Sequence, residues 1–242
     1  AAVSPRIGTD SNDAQIKECI AECLAMGVVR EEGERILLDD NVRSQFRQKS
    51  YDPAITRDVL TGLVCRSQDD ACRGVAWLLG QEPLQPLSHH WAERAMASAG
   101  CAEYLKLTSS AAYNALGYWS HYLGWAVGRG QVQWVFDPTE HLARALPECF
   151  RGQDKKTGLP VREVLSRLAS AWPVYPGGRY WCDIESYLPA RGDEALPMSI
   201  AVLQARRLLA MASFSDAPAT MSIATEKCTH LRWLIAQGGR LR

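Results

Sequence analysis

Asp183 and Glu185 are two carboxylates two residues apart. On an extended segment they would share one face. A metal-dependent nuclease core would add a lysine shortly after the second acid, but Ser186-Tyr187-Leu188 follows. The pair therefore reads as surface acids. His121 lies in a long apolar stretch. It reads as a hydrogen-bonded core histidine, with a general base as the sharper alternative. Cys182 sits between Trp181 and Asp183, with no cationic neighbour in sequence to lower its thiol pKa. Zinc needs several convergent ligands. Cys19 and Cys23 have helical spacing, but no second pair follows. His89 and His90 are adjacent, and adjacent side chains diverge on a helix. No metal and no cofactor are expected. The eight cysteines are spread along the chain and read as reduced and mostly buried. Dinucleotide fingerprint, phosphate loop, HExxH and nucleophile elbow are all missing. No catalytic residue is assigned, and the chain is expected not to be an enzyme.

Binding chemistry is more legible. Residues 1–40 carry four bases and nine acids, a balance of minus five. Glu31, Glu32 and Glu34 crowd one turn there. Phosphates would repel this segment, so it reads as a protein-contact module, with these three glutamates as partner-binding residues. Residues 151–179 and 200–242 each carry a balance of plus four. Such segments can track a phosphate backbone or meet an acidic partner. Lys155, Lys156, Arg206, Arg207 and Arg232 are the candidate nucleic-acid contacts. Eight tryptophans supply core bulk, each indole N–H needing a partner. Arg179-Tyr180-Trp181 and Arg232-Trp233 place a cation beside an aromatic ring.

The elements that position these residues are mainly helices. Asp10-Ser11-Asn12 caps a helix whose apolar face carries Ile16, Ile20, Cys23 and Leu24. Gly27 stops it, and Val28–Arg30 and Arg35–Leu38 form a hairpin. Helices are expected over 53–66, 70–81, 88–99 and 110–127. A strand over 131–136 precedes a helix started by Asp137-Pro138-Thr139-Glu140. The polar loop 151–158 reads as a boundary, and a helix runs over 159–171. Pro176-Gly177-Gly178 reads as a turn between aromatic strands. A helix over 197–212 leads into a hairpin over 211–224, and a last helix covers 225–236. Helix followed by hairpin thus occurs near both ends, which reads as a weak repeat of winged-helix-like units. The alternative is a helical domain with incidental hairpins. The expected fold is mainly α with short β-hairpins. It divides into a partial winged-helix-like unit over 1–50, a helical middle over 51–150 and a second helical or winged-helix-like unit over 151–242.

The 242 residues are 47% hydrophobic and 22% charged, with zero formal net charge. This excludes a disordered chain, a coiled-coil rod and a globally basic nucleic-acid coat. The uncharged run 107–128 contains Thr108, Ser109, Ser110, Asn114, Ser120 and His121, so it reads as buried in protein rather than lipid. Ala1-Ala2-Val3-Ser4-Pro5 has no signal-peptide character and reads as a cut edge. A cytoplasmic protein is expected.

Three fragments, IKECIAECLAMGVVREEGERILL, HYLGWAVGRGQVQWVFDPTEHLARAL and LPMSIAVLQARRLLAMASFSDAPATMSIATEKCTHLRWL, resemble in order the DpdG family. Proteins of that family accompany bacterial systems that insert 7-deazaguanine derivatives into DNA and restrict unmodified DNA. The resemblance covers about three quarters of the chain and transfers no catalytic residue. It implies a bacterial anti-phage defence context and a non-enzymatic adaptor subunit of a DNA-acting complex. The implied partners are protein subunits of helicase, ATPase or nuclease type, with DNA as a further contact. The alternative is a stand-alone winged-helix DNA-binding transcriptional regulator.

Overall fold

The computed structural model describes residues 11–47, 53–83, 85–129, 133–153, 158–190, 194–213, 221–223 and 226–234. Eleven α-helices and nine short strands lie among them, so the fold is mainly helical with small antiparallel sheets. The chain divides into two compact units, Ala1–Gln68 and Asp69–Arg242.

The first unit begins with helix α1 (Ser11–Ala25). Its end is a Schellman arrangement in which Gly27 takes φ 69°. Val28 N donates to Cys23 O at 2.9 Å and Gly27 N to Leu24 O at 3.0 Å, so two carbonyls at the helix end are satisfied. Strands β1 (Val29–Glu32) and β2 (Arg35–Leu38) follow, pairing Val29 with Leu38 through Glu32 with Arg35. A two-residue turn, Gly33-Glu34, joins them. Helices α2 (Asp40–Arg47) and α3 (Pro53–Ser67) complete the unit. The helix, glycine stop and hairpin read from the sequence are all present.

The second unit opens with α4 (Asp69–Leu79), α5 (His89–Ala99), α6 (Ala102–Leu105) and α7 (Ser110–Leu123). Ser88 caps α5 by accepting from Trp91 N, and Gly100 closes it at φ 71°. Helix α7 stops at Gly124, short of the expected end, and Val127 belongs to a strand. One face of α7 is also exposed, with Tyr118 58% accessible. The expectation of a wholly buried helix over 110–127 is therefore corrected. Strands β3 (Val127–Arg129) and β4 (Gln133–Val135) form a hairpin, and α8 (Thr139–Cys149) follows. Asp137 Oδ1 accepts from Thr139 N at 2.9 Å, but α8 begins one residue later than expected, with Pro138 at the N-cap rather than at the first helical position.

Strand β5 (Leu159–Pro160) leads into α9 (Val161–Ala171). Helix α10 (Arg179–Ile184) and a 3₁₀ turn over Glu185–Tyr187 occupy the segment expected as aromatic strands. Asp183 and Glu185 are thus helical, not extended. After α11 (Ala195–Ala205) come β6 (Leu209–Ala212), β7 (Met221–Ile223), β8 (Glu226–Cys228) and β9 (His230–Trp233). The expected helix over 225–236 is replaced by strands β8 and β9 where it is described. The expected hairpin over 211–224 is likewise rearranged. Strand β6 pairs with β9, while β7 pairs with β8. Strand β9 is the centre of the sheet β5-β9-β6, and Leu231 stands opposite both Leu159 and Met211.

The core of this unit is aromatic. Trp77, Tyr113, Trp125, Tyr175 and Tyr180 are each fully buried. Among the described residues, the buried indole nitrogens of Trp77, Trp125 and Trp134 have no hydrogen-bond partner, where the sequence led one to expect one for each. All eight cysteines are free; five are buried, but Cys19 and Cys182 are exposed. No helix among the described residues is long and apolar enough to cross a membrane.

Candidate functional site

The acidic hairpin is positioned by the Gly27 stop and the β1–β2 register. Glu31, Glu32 and Glu34 are all exposed. Arg30, the base beside them, is shared: its Nη1 donates to Asp40, and its Nη2 lies 3.8 Å from Glu32, one of the three. The hydrogen bond to Asp40 holds the Arg30 guanidinium above its ordinary pKa. The hairpin therefore presents net negative charge to solvent.

The candidate basic contacts are less uniform. Arg206 is the C-cap of α11 and its Nη1 lies 2.6 Å from Glu140 Oε1 on α8. Arg207 takes a left-handed φ of 58° and is exposed. Arg232 is half-buried on β9, opposite Ala210, which lies three residues beyond Arg207 along the chain. The turn into β6 thus carries Arg206 and Arg207, and the neighbouring strand carries Arg232. Lys155 and Lys156 lie outside the described residues.

A larger charged network, not anticipated from sequence, joins α4 and α10. Asp69 Oδ1 accepts from Tyr180 Oη at 2.6 Å and from Arg179 Nη2 at 2.6 Å. The Tyr180 hydrogen bond holds the Asp69 carboxyl below its ordinary range. Burial, followed by the Asp69 contact, pushes the Tyr180 phenol up. Arg73 reaches Asp70 at 3.2 Å and Asp183 at 3.3 Å, and Lys106 Nζ reaches Asp70 Oδ2 at 2.7 Å. Asp183 is therefore an ion-pair partner of Arg73. The sequence signal was present in the alternating acids and bases, but the α4–α10 pairs span more than a hundred residues. Arg179 lies 4.4 Å over the Tyr180 ring, as their adjacency foretold.

The histidines divide by environment. His121 is exposed, with Nδ1 3.1 Å from Ala126 O, which corrects its reading as a core residue. His141 is the buried one. Its Nδ1 shares a 2.7 Å hydrogen bond with the Tyr175 hydroxyl, and the rings of Trp125 and Trp172 flank it. Burial, reinforced by the Arg144 charge, depresses its pKa well below the usual histidine value. It is held neutral in the core. His89, His90 and Glu93 at the start of α5 converge, with one ligand atom from each within 4.8 Å of the others. The adjacent histidines leave the helix about 100° apart, as expected, but Glu93, one turn on, falls between them and closes the cluster.

The fold and these surfaces define a mainly helical protein that carries its charged groups on exposed faces and in surface ion pairs. The DpdG-like family model matches residues 1–217, and the chain belongs to that family. No curated protein and no solved structure matches the chain.

Proposed function

We propose that this chain is a non-enzymatic adaptor subunit of a Dpd-type DNA modification–restriction complex, working in the cytoplasm. Family membership supplies the defence context. The observation that carries the adaptor reading is the exposed acidic hairpin, with Glu31, Glu32 and Glu34 facing solvent and Arg30 already engaged. The hairpin carries three glutamates against Arg30 and the exposed Arg35 opposite Glu32, and this acidic excess suits a basic patch on a protein partner and disfavours phosphate. The test is to replace Glu31, Glu32 and Glu34 together by lysine in the full chain, expressed with its native system. Co-purifying helicase, ATPase or nuclease subunits should fall away while the chain itself stays folded. An intact complex would sink the adaptor reading. Turnover by the isolated chain with divalent metal, abolished by Asp183→Ala, would sink the non-enzymatic part.

The regulator reading rests on a different feature, the exposed Arg207 beside the sheet β5-β9-β6. It requires salt-sensitive, sequence-selective DNA binding by the chain alone.

A further inference from the structure

Helix α5 begins His89-His90-Trp91-Ala92-Glu93. At about 100° per residue, Glu93 projects about 40° to one side of His89 and about 60° to the other side of His90. One carboxylate therefore lies beside two imidazoles. One ligand atom from each of the three residues falls within 4.8 Å of the others, and His90 Nδ1 is 3.8 Å from Glu93 Oε2. The helix start itself is held firmly. Ser88 Oγ accepts from Trp91 N, and Leu87 exchanges backbone hydrogen bonds with Trp134 at 2.8 and 3.1 Å. The Tyr113 hydroxyl donates to Leu87 O at 2.8 Å, and its ring lies 5.9 Å from that of His89. His90 and Glu93 are exposed, so their side chains can close on an ion. His89 is half-buried, and its Nε2 has no hydrogen-bond partner among the described residues.

We infer that His89, His90 and Glu93 form a surface binding site for a divalent transition metal of the zinc type. Two imidazole nitrogens and one carboxylate oxygen suit Zn²⁺, Co²⁺ or Ni²⁺ better than Mg²⁺ or Ca²⁺, which prefer oxygen alone. Three protein ligands leave at least one coordination position to solvent. The site lies outside the features that carry the adaptor reading, so each can fail without the other.

The experiment uses the full chain, stripped of metal and reduced. Zn²⁺ is titrated by calorimetry and Co²⁺ by visible absorption. One equivalent of each is expected to bind, with ligand-field bands of a nitrogen–oxygen site and no thiolate charge-transfer band. His90→Ala and Glu93→Gln should each weaken binding by about tenfold or more, since even outer-shell changes cost about that much. Both positions are exposed, and circular dichroism confirms that the variants fold. Absence of binding would overturn the inference. So would binding that either substitution leaves unchanged, or a thiolate band, which would assign the metal to cysteines.

Discussion

His141 is 2% exposed and shares its Nδ1 hydrogen bond with Tyr175. In the unfolded chain a histidine titrates near about 6.5. In the fold its pKa is well below that. Below the unfolded value the unfolded state binds a proton that the native state does not, so stability falls as pH falls. The contribution is present in full above about pH 6.5 and is lost at about 1.4 kcal/mol per pH unit below it. Chemical denaturation at pH 6 and pH 5 should therefore show a slope about one proton shallower in His141→Asn than in the parent; equal slopes would refute the assignment. Glycines give a second contrast at this scale. A Cβ at Gly117 would stand 2.1 Å from Trp134 Nε1 and 2.3 Å from its Cε2, and Trp134 is 4% exposed. Gly117→Ala should cost about 1–3 kcal/mol by overpacking. At Gly62, inside α3, the nearest atoms are the Arg66 guanidinium nitrogens at 3.8 Å. Gly62→Ala should raise stability by about 0.5–1 kcal/mol through reduced unfolded-state freedom. Urea midpoints moving in opposite directions are the check.

The α4–α10 contact shows what one element asks of another. Tyr180 is 1% exposed and its hydroxyl donates to Asp69. Tyr180→Phe removes this charge-assisted bond and the oxygen that accepts from Arg179, and should lower unfolding stability by about 1.5–3 kcal/mol. Arg179→Ala should change it less, because the Arg179–Asp69 pair is solvent-exposed and exposed pairs contribute little. A larger loss from Arg179→Ala would reverse that ranking. Elements defined by local chemistry were legible in the sequence. The Ser88 and Gly100 caps, the Asp137-Pro138 start and the Gly27 stop all act within a few residues of themselves. Elements decided by distant partners were not. Tyr180, Trp181 and Tyr187 have strand-forming side chains, yet packing of Tyr180 against α4 makes the segment helical. The segment from Leu231 to Leu234 fits both periods, and pairing of β9 with β5 and β6 selects the strand. Helix α7 carried its own stop at Gly124, masked by the apolar Trp125-Ala126-Val127 beyond it. The acidic hairpin was readable as three glutamates in one turn. The His89–His90–Glu93 cluster was missed because adjacency was weighed without the residue one turn on.

Across the whole molecule, zero net charge hides a separation along the chain, minus five over residues 1–40 and plus four over 200–242. The structure distinguishes the two arginines that open the second of these segments. Arg206 already has a carboxylate, Glu140 Oε1, at 2.6 Å. Engaging a phosphate would mean giving up that pair or sharing the guanidinium, so its net gain is small. Arg207 is exposed, and its left-handed backbone turns it away from the helical path of α11. Duplex DNA binding by the full chain, followed across a salt series, should then separate them. Removing one cation that neutralises a phosphate reduces the log–log salt slope by about one. Arg207→Ala is expected to weaken binding similarly for all sequences and to flatten the slope by about one. Arg206→Ala should flatten it less, and the double substitution should resemble Arg207→Ala. Lysine replacements at Glu31, Glu32 and Glu34 should leave the slope no flatter, because that hairpin is assigned to protein contact. Unchanged affinity and slope in the double variant would remove this corner from any nucleic-acid surface. A slope change confined to Arg206→Ala would show that the Glu140 pair gives way readily, and that the ion pair does not decide which arginine meets phosphate.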